Sequence, residues 1–179
     1  MTFPFRTSRL VALLAAVAVT LAGPALAADA PANPLDAIPE KMPYDIPYGA
    51  PISLERAQAA IAAAMAEAAK HGWKLNVAVV DSGTNLVAFA RMDGAQLLSI
   101  TVSEHKARAA VATRRETRVW EDNIQLKQQY YALSLDGIIA SRGGIPLVEG
   151  GKIIGAIGCS GGTGSQDEAA CKVGAATVH

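Results

Sequence analysis

The spacing of hydrophobic residues after residue 53 predicts an amphipathic helix that packs on a core. Ser53 stands where an N-cap would be, because its hydroxyl can accept a hydrogen bond from the first turn. Gly72 suits the end of this helix, since glycine adopts a left-handed backbone at little steric cost. Small and apolar side chains recur between them with the three-to-four-residue period of an α-helix: Ala57, Ala60, Ile61, Ala64, Met65 and Ala68.

The next stretch predicts two strands joined by a hairpin and then helical structure. Residues 75–81 and 85–91 are rich in apolar and β-branched side chains, and a turn-forming Asp-Ser-Gly-Thr-Asn segment joins them. Residues 97–115 are helical by composition. A second helical stretch over about 118–133 follows that helix or continues it.

The last third of the chain predicts three more strands and a final helix. Residues 137–142 are predicted to form a short strand, and residues 145–149 and 152–159 flank a Gly-Gly pair, which is typical of a two-residue hairpin. Residues 165–168 (Ser-Gln-Asp-Glu) fit a capping box that starts the last helix. Hairpin connections and helices in blocks indicate an α+β domain on a five-stranded antiparallel sheet flanked by helices.

The first 27 residues have the pattern of a cleaved secretory signal. Arg6 and Arg9 precede an apolar run, and a small-x-small motif ends at Ala27. The run is about a dozen residues, whereas a bilayer core needs roughly 20, so a retained anchor is the less favoured alternative. We expect the mature protein to be periplasmic or secreted.

A proline-rich segment, residues 28–51, separates this signal from the domain predicted over residues 52–179. Its prolines lie three to five residues apart, so the segment is expected to be extended. Two interpretations stay open: a tether, or an arm laid over a neighbouring subunit. Four large side chains favour the arm: Met42, Tyr44, Ile46 and Tyr48.

The charge balance narrows the classes of partner. The chain has 16 basic and 16 acidic residues, and removal of the signal takes two arginines, which leaves 14 against 16. Such a balance lacks the basic footprint of a nucleic-acid-binding protein. No second apolar run is long enough to cross a bilayer. We therefore expect neither nucleic acid binding nor stable membrane insertion.

Three segments carry a long, ordered series of motifs. They are VVDSGTNLVAFARMDGA (79–95), HKARAAVATRRET (105–117) and GGIPLVEGGKIIGAIGCSGGTGSQDE (143–168). Together they resemble the GlcG/HbpS family, also called the haem-degrading domain family, over about residues 52–178. The resemblance implies a profilin-like fold and homo-oligomers. It also implies haem binding in some members, whereas others lie near glycolate or diol metabolism.

The helix predicted over residues 97–115 carries candidate ligand-binding residues. At 100° per residue, Lys106, Thr113 and Thr117 fall on one helix face. A face of one lysine, two hydroxyls and small residues could admit a flat ligand. Arg115 adds a planar guanidinium that suits carboxylates. The alternative is a solvated basic face that the nearby glutamates partly balance.

The resemblance places Thr117 on the iron side of a haem pocket. Relatives have a proline before this threonine and this chain has Glu116, so the helix is expected to run on where relatives turn. A neutral hydroxyl is a weaker iron ligand than histidine, which makes His105 the alternative metal ligand. The sequence has no Cys-x-x-Cys-His motif for covalent haem attachment.

Arg91 and Asp93, in the Arg-Met-Asp-Gly segment that ends the second strand, allow two interpretations. Arg91 could clamp a ligand carboxylate from the strand end, with Asp93 beside it. Alternatively the two side chains only fix the turn, where Gly94 permits a positive φ.

The two cysteines, Cys159 and Cys171, are candidates for a disulfide. One lies at the end of an apolar strand and the other on the inner face of the last helix, which a glycine-rich turn brings back beside that strand. An exported protein meets oxidising conditions. The alternative is a pair of small buried side chains that face different neighbours.

These observations favour an exported protein that binds a small ligand, with haem as the first candidate cofactor. No nucleophile, base and orienting residue stand at a recognisable spacing, so a binding protein is preferred to an enzyme. Two alternatives stay open. One is an enzyme or auxiliary factor in periplasmic glycolate or alcohol metabolism, and the other is an oligomeric, partner-binding module without a ligand.

Overall fold

The helix predicted from the alanine spacing is α1, Leu54–Lys70. The computed structural model describes residues 38–179. Ser53 caps α1 through its hydroxyl, which accepts a hydrogen bond from the Arg56 amide at 3.4 Å. Gly72 follows the helix with φ +69°, as its position predicts. The buried side of α1 is almost all alanine, which lets its backbone lie close to the layer beneath.

Within residues 38–179 the sheet has four strands, and each pairs with its neighbours in antiparallel orientation. Along the chain they are β1 (Asn76–Asp81), β2 (Leu86–Arg91), β3 (Gly144–Glu149) and β4 (Lys152–Ser160). Their spatial order is β2-β1-β4-β3. β3 and β4 form the predicted hairpin, in which both turn glycines have positive φ, as a type I′ turn requires.

Helices cover both faces of this sheet. The later helices are α2 (Leu98–Thr113), α3 (Arg118–Gln125) and α4 (Gly164–Ala175), with a short 3₁₀ turn at Tyr130–Ser134. One core lies between the sheet and the pair α1 and α4. A smaller core lies between the other sheet face and α2. Neighbouring residues of β4 alternate between them: Ala156 belongs to the smaller core and Ile157 to the larger.

The β4 strand and α2 approach each other through backbone. A Cβ on Gly158 would collide with the Ser103 carbonyl oxygen and lie 2.6 Å from the Ala107 amide nitrogen. Real side chains do not tolerate such contacts. Glycine is therefore required at this position by close packing, not by backbone conformation.

The prediction of a fifth strand over residues 137–142 is wrong. Hydrogen bonds to side chains, not to a neighbouring strand, hold the end of this segment. The Thr117 hydroxyl donates to the Ser141 carbonyl at 2.7 Å, and the Arg142 amide donates to a Glu121 carboxylate oxygen at 2.7 Å. Residues 137–142 therefore form a loop over α3.

Two predicted helix boundaries also differ from the structure. The basic helix does not run through Glu116, because α2 ends at Thr113 and Arg114 takes a left-handed conformation, φ +54°. The last helix starts from Thr163, whose hydroxyl and the side chain of Gln166 form the capping box. The predicted box at residues 165–168 is displaced by two residues. The second error concerns which of two nearby hydroxyl side chains, Thr163 or Ser165, caps the helix.

The end of the proline-rich segment lies on the sheet of its own chain. The Gly49 amide donates to the Ile153 carbonyl at 2.7 Å, and the Ile153 amide donates to the Pro47 carbonyl at 2.8 Å. Tyr48 and Ile153 thereby form a short parallel bridge on β4. Ile46 packs on the smaller core. We call residues 41–51 the arm.

Candidate functional site

The junction between α2 and α3 concentrates arginines beside the arm. Arg114 ends α2 in the left-handed region, and its amide closes the last turn onto the carbonyls of Ala110 and Val111. The chain then bends so that α3 starts at Arg118. We call residues 114–118 the arginine corner. A continuous helix would have distributed these side chains around its circumference.

Aromatic side chains hold the two consecutive arginines of this corner. The Arg115 guanidinium carbon lies 3.8 Å from the Tyr44 ring centroid and 4.7 Å from that of Trp120. Arg114 lies 5.3 Å from the Tyr48 ring centroid and pairs with Asp45 at 3.2 Å. Cation–π contacts of this kind contribute about 0.5–1 kcal/mol each at exposed sites. The arm therefore orients both cations.

Two clefts open beside Tyr44. Tyr44, Arg114 and Arg115 line both of them. The first, which we call the arm cleft, has a volume of about 470 Å³ and lies between the arm, the end of α2 and the loop after the 3₁₀ turn. The second, the sheet cleft, has a volume of about 520 Å³ and runs along β3. Both fall within the range of about 300–1,000 Å³ usual for small-ligand sites.

The sheet cleft combines an apolar wall with a charged rim. Arg114, Arg115 and Arg118 lie on the rim with two carboxylates, those of Glu116 and Asp122. Its wall is made of aliphatic and proline side chains from the arm, α3 and β3: Ile46, Val119, Ile145, Pro146 and Val148. Such a surface suits a ligand with a broad apolar body and anionic groups at one edge.

Of the residues predicted from the sequence, Arg115 and Thr113 lie at this site. Both line the arm cleft, and the Arg115 Nε donates to the Thr113 carbonyl at 2.9 Å. The Thr113 hydroxyl accepts a hydrogen bond from the Trp120 indole at 3.2 Å and donates to the Ala109 carbonyl. Thr113 therefore positions Trp120 under Arg115.

Thr117 does not face either cleft. It is fully buried, its hydroxyl donates to the Ser141 carbonyl at 2.7 Å and accepts from the Gly144 amide at 2.9 Å. Its hydrogen-bonding capacity is used in joining α3 to β3 and the preceding loop. The structure thus gives the Thr117 hydroxyl a structural role, and the assignment of Thr117 as a metal ligand stays a prediction.

Lys106 is also absent from the clefts, because it forms a buried ion pair. Its ammonium group lies 2.8 Å from an Asp167 carboxylate oxygen and 3.2 Å from the Cys159 carbonyl. The side chains of Lys106 and Asp167 are 1% and 4% exposed. The lysine joins α2 to α4 and β4, and the prediction that it faces a ligand is wrong. Asp167 was missed by the sequence analysis, since nothing local marks it as a partner 61 residues away.

The other predicted residues lie apart from the arginine corner. His105 is exposed on α2 and lines neither cleft. Arg91 and Asp93 line a third cleft of about 500 Å³, together with Trp73 and Lys74. This third cleft shares no lining residue with the arm cleft or the sheet cleft. The structure thus does not bring Arg91 and the basic helix into one pocket.

An ion-pair network links α3, which follows the arginine corner, to α4 and to the loop before β3. Arg142 pairs with Glu121 at 2.7 Å and lies 3.6 Å from Glu168, and Lys172 pairs with Glu168 at 2.7 Å. The hydrogen bond to Glu121 raises the pKa of Arg142, and the hydrogen bond to Glu168 raises that of Lys172. These contacts fix α3 against α4 and against the loop that precedes β3.

A disulfide joins Cys159 at the end of β4 to Cys171 on α4, with Cα atoms 5.7 Å apart. It lies next to the Lys106–Asp167 pair, because the Cys159 carbonyl accepts a hydrogen bond from Lys106.

No group of three or more His, Cys, Asp or Glu side chains within residues 38–179 could hold a metal ion. The same described part of the chain contains no helix that is both long and apolar enough to cross a membrane.

Comparisons with known proteins agree on one family. The model of the family described as "Haem degrading protein HbpS-like" matches residues 52–176. Protein GlcG of Escherichia coli strain K12 is 38% identical over 109 residues, which are 61% of this chain and 81% of that protein.

Two solved structures extend the likeness to the fold. Klebsiella pneumoniae protein ORFY superimposes on this chain with a TM-score of 0.68 and 29% sequence identity. The matched region covers 79% of this chain and 96% of the ORFY chain. A complex named PduOC:Heme gives a TM-score of 0.64 at 26% identity, over 72% of this chain and 96% of its own. Because the family model covers more than half of the chain, this α+β chain belongs to the family described as "Haem degrading protein HbpS-like".

Proposed function

We propose that the protein binds haem at the arginine corner, in the sheet cleft. The observation that carries this proposal is the pairing of an apolar wall with three rim arginines in a cleft of about 520 Å³. A porphyrin is flat, largely apolar and carries two carboxylates at one edge, so it matches both parts. The family match and the structural likeness to a haem complex support the same ligand class.

The lining of the sheet cleft matches the apolar ring and the carboxylates of a porphyrin. The predicted iron ligands His105 and Thr117 do not line this cleft. Arg114, Arg115 and Arg118 would hold the carboxylates, since guanidinium groups pair with carboxylates in a planar, two-bond geometry. The aliphatic wall would cover one ring face. Bound haem would supply iron for ligand exchange or electron transfer, and the protein would buffer, sense or hand on the cofactor.

We also propose that the protein works outside the cytoplasm, as the signal-like residues 1–27 predict; they lie outside the described residues. The Cys159–Cys171 disulfide supports this location, because disulfides persist in oxidising compartments. A mature chain that begins at Ala28, seen by intact mass in the extracytoplasmic fraction, is the expected result. A cell-associated species that retains residues 1–27 would contradict it.

We also propose that the domain has a profilin-like fold and that the protein forms homo-oligomers. Four leucines are about three-quarters exposed, at the start of α2 and around the 3₁₀ turn: Leu97, Leu98, Leu126 and Leu133. Covering these side chains with another copy of the chain would remove apolar surface from water. A homo-oligomer would cover them.

A haem titration of the purified protein tests the proposed site. Wild-type protein is expected to develop a Soret band that saturates at one haem per chain. Arg115→Gln should bind about tenfold more weakly, because one charge-assisted hydrogen bond contributes about 1.5 kcal/mol. Arg108→Gln is the matched control, since Arg108 is exposed on α2 and pairs with Glu104. Equal affinities of the two variants would reject the site, and no haem binding by wild type would reject the function.

A further inference from the structure

The two tyrosines of the arm differ in what their hydroxyl groups do. Tyr44 and Tyr48 are exposed to almost the same extent, 42% and 44%. The Tyr48 hydroxyl donates to the Val111 carbonyl at 3.0 Å and lies 3.3 Å from that of Ala112, so it is fixed at the end of α2. The Tyr44 hydroxyl has no hydrogen-bond partner among residues 38–179. One tyrosine therefore anchors the arm, and the other presents a free phenol.

The backbone of Tyr44 is held in an unfavourable conformation. Its φ is +58°, in the left-handed region that bulky residues seldom adopt. Contacts of the two residues that follow keep it there: Asp45 pairs with Arg114, and Ile46 packs on the smaller core. Strained residues that the surroundings hold in place cluster at ligand-binding sites.

The Tyr44 side chain stands at the boundary of the arm cleft and the sheet cleft. It lines both, and the Arg115 guanidinium lies 3.8 Å from its ring centroid. A phenol that binds a metal carries negative charge on its oxygen. A guanidinium stacked on the ring is placed to offset that charge.

We infer that Tyr44 is the side chain that ligates the haem iron. This inference rests on the proposed haem binding and adds the identity of the ligand. Tyrosine is an established type of haem ligand, whereas the Thr117 hydroxyl is buried and engaged and His105 lines neither cleft. As the bond forms, the phenol O–H breaks, an oxygen lone pair binds ferric iron and the proton passes to solvent. No electron is transferred.

Ferric haem added to the purified protein tests this assignment by spectroscopy. Wild type is expected to show a phenolate-to-iron charge-transfer band and tyrosinate modes in the resonance Raman spectrum. Tyr44→Phe should lose both signals while its circular dichroism is unchanged. Tyr130→Phe is the matched control, because it makes the same change at an exposed tyrosine that lines neither cleft, and it should keep both signals.

The outcomes separate the ligand from the binding function. If wild type and Tyr44→Phe bind haem with identical spectra, the assignment of Tyr44 is overturned and haem binding stands. If wild type shows an imidazole-type spectrum that His105→Ala removes, His105 is the ligand and the assignment is likewise overturned. If wild type binds no ferric haem at micromolar concentration, both the function and the ligand are overturned.

Discussion

Breaking the buried Lys106–Asp167 pair should destabilise the protein more than any surface charge change. The two side chains are 1% and 4% exposed and their charged atoms lie 2.8 Å apart. Asp167→Asn keeps the shape of the side chain and removes its charge, which leaves the Lys106 ammonium buried among neutral acceptors without a counter-charge. Removing one partner of a buried pair costs about 3–5 kcal/mol.

The free energy of unfolding in urea, measured with the disulfide intact, tests this magnitude. The double variant Lys106→Met, Asp167→Leu should recover much of the loss, because it removes the isolated charge as well as the pair. Glu104→Gln is the control. It breaks the Arg108–Glu104 pair, whose side chains are 44% and 22% exposed, and should cost no more than about 0.5 kcal/mol. If Asp167→Asn costs as little as that control, the pair does not hold α2 to α4.

Three further results are expected. Thiol counting in denaturant without reductant should find no free thiol in a monomeric chain, because Cys159 and Cys171 are bonded; two thiols would show unlinked core residues. The hydrogen bond from Arg56 lowers the pKa of Glu149 from 4.5. The Arg56–Glu149 pair therefore stabilises the fold above pH 4.5, and this stabilisation is lost as the pH falls through the lowered pKa. Glu149→Gln should therefore show a shallower loss of melting temperature on acidification, and parallel profiles would refute this. Gly158→Ala should lower the melting temperature sharply, since the new Cβ meets backbone of α2, and an unchanged melting temperature would contradict the packing described.

The parts of the fold that local sequence determines could be predicted, and the site mostly could not. The alanine spacing and the Gly-Gly pair located α1 and the β3–β4 hairpin, because helix period and turn conformation are properties of short segments. The end of α2 was placed too late, since the left-handed Arg114 depends on tertiary contacts with the arm. Thr117 and Lys106 were assigned to a ligand because their partners, Ser141 and Asp167, are distant in the chain.

Arg115, by contrast, is a candidate residue that the sequence did indicate. Its residue type alone suggested carboxylate binding, and the structure places it beside an apolar cleft. Tyr44, on the other side of that guanidinium, carried only a weak signal as one of several large side chains in the arm. A positive φ at a tyrosine has no counterpart in the sequence pattern.

The pairing of the arm with β4 has a practical consequence for any shortened form of this protein. The family match begins at residue 52, yet Pro47 and Gly49 satisfy both backbone groups of Ile153, and Ile46 packs over the core beneath α2. A fragment cut at the family boundary would leave a buried strand residue without partners and would free Arg114 and Arg115 from their tyrosines. The smallest unit that preserves the arginine corner starts near residue 41, so recombinant boundaries should be drawn from the strand contacts and not from the aligned region.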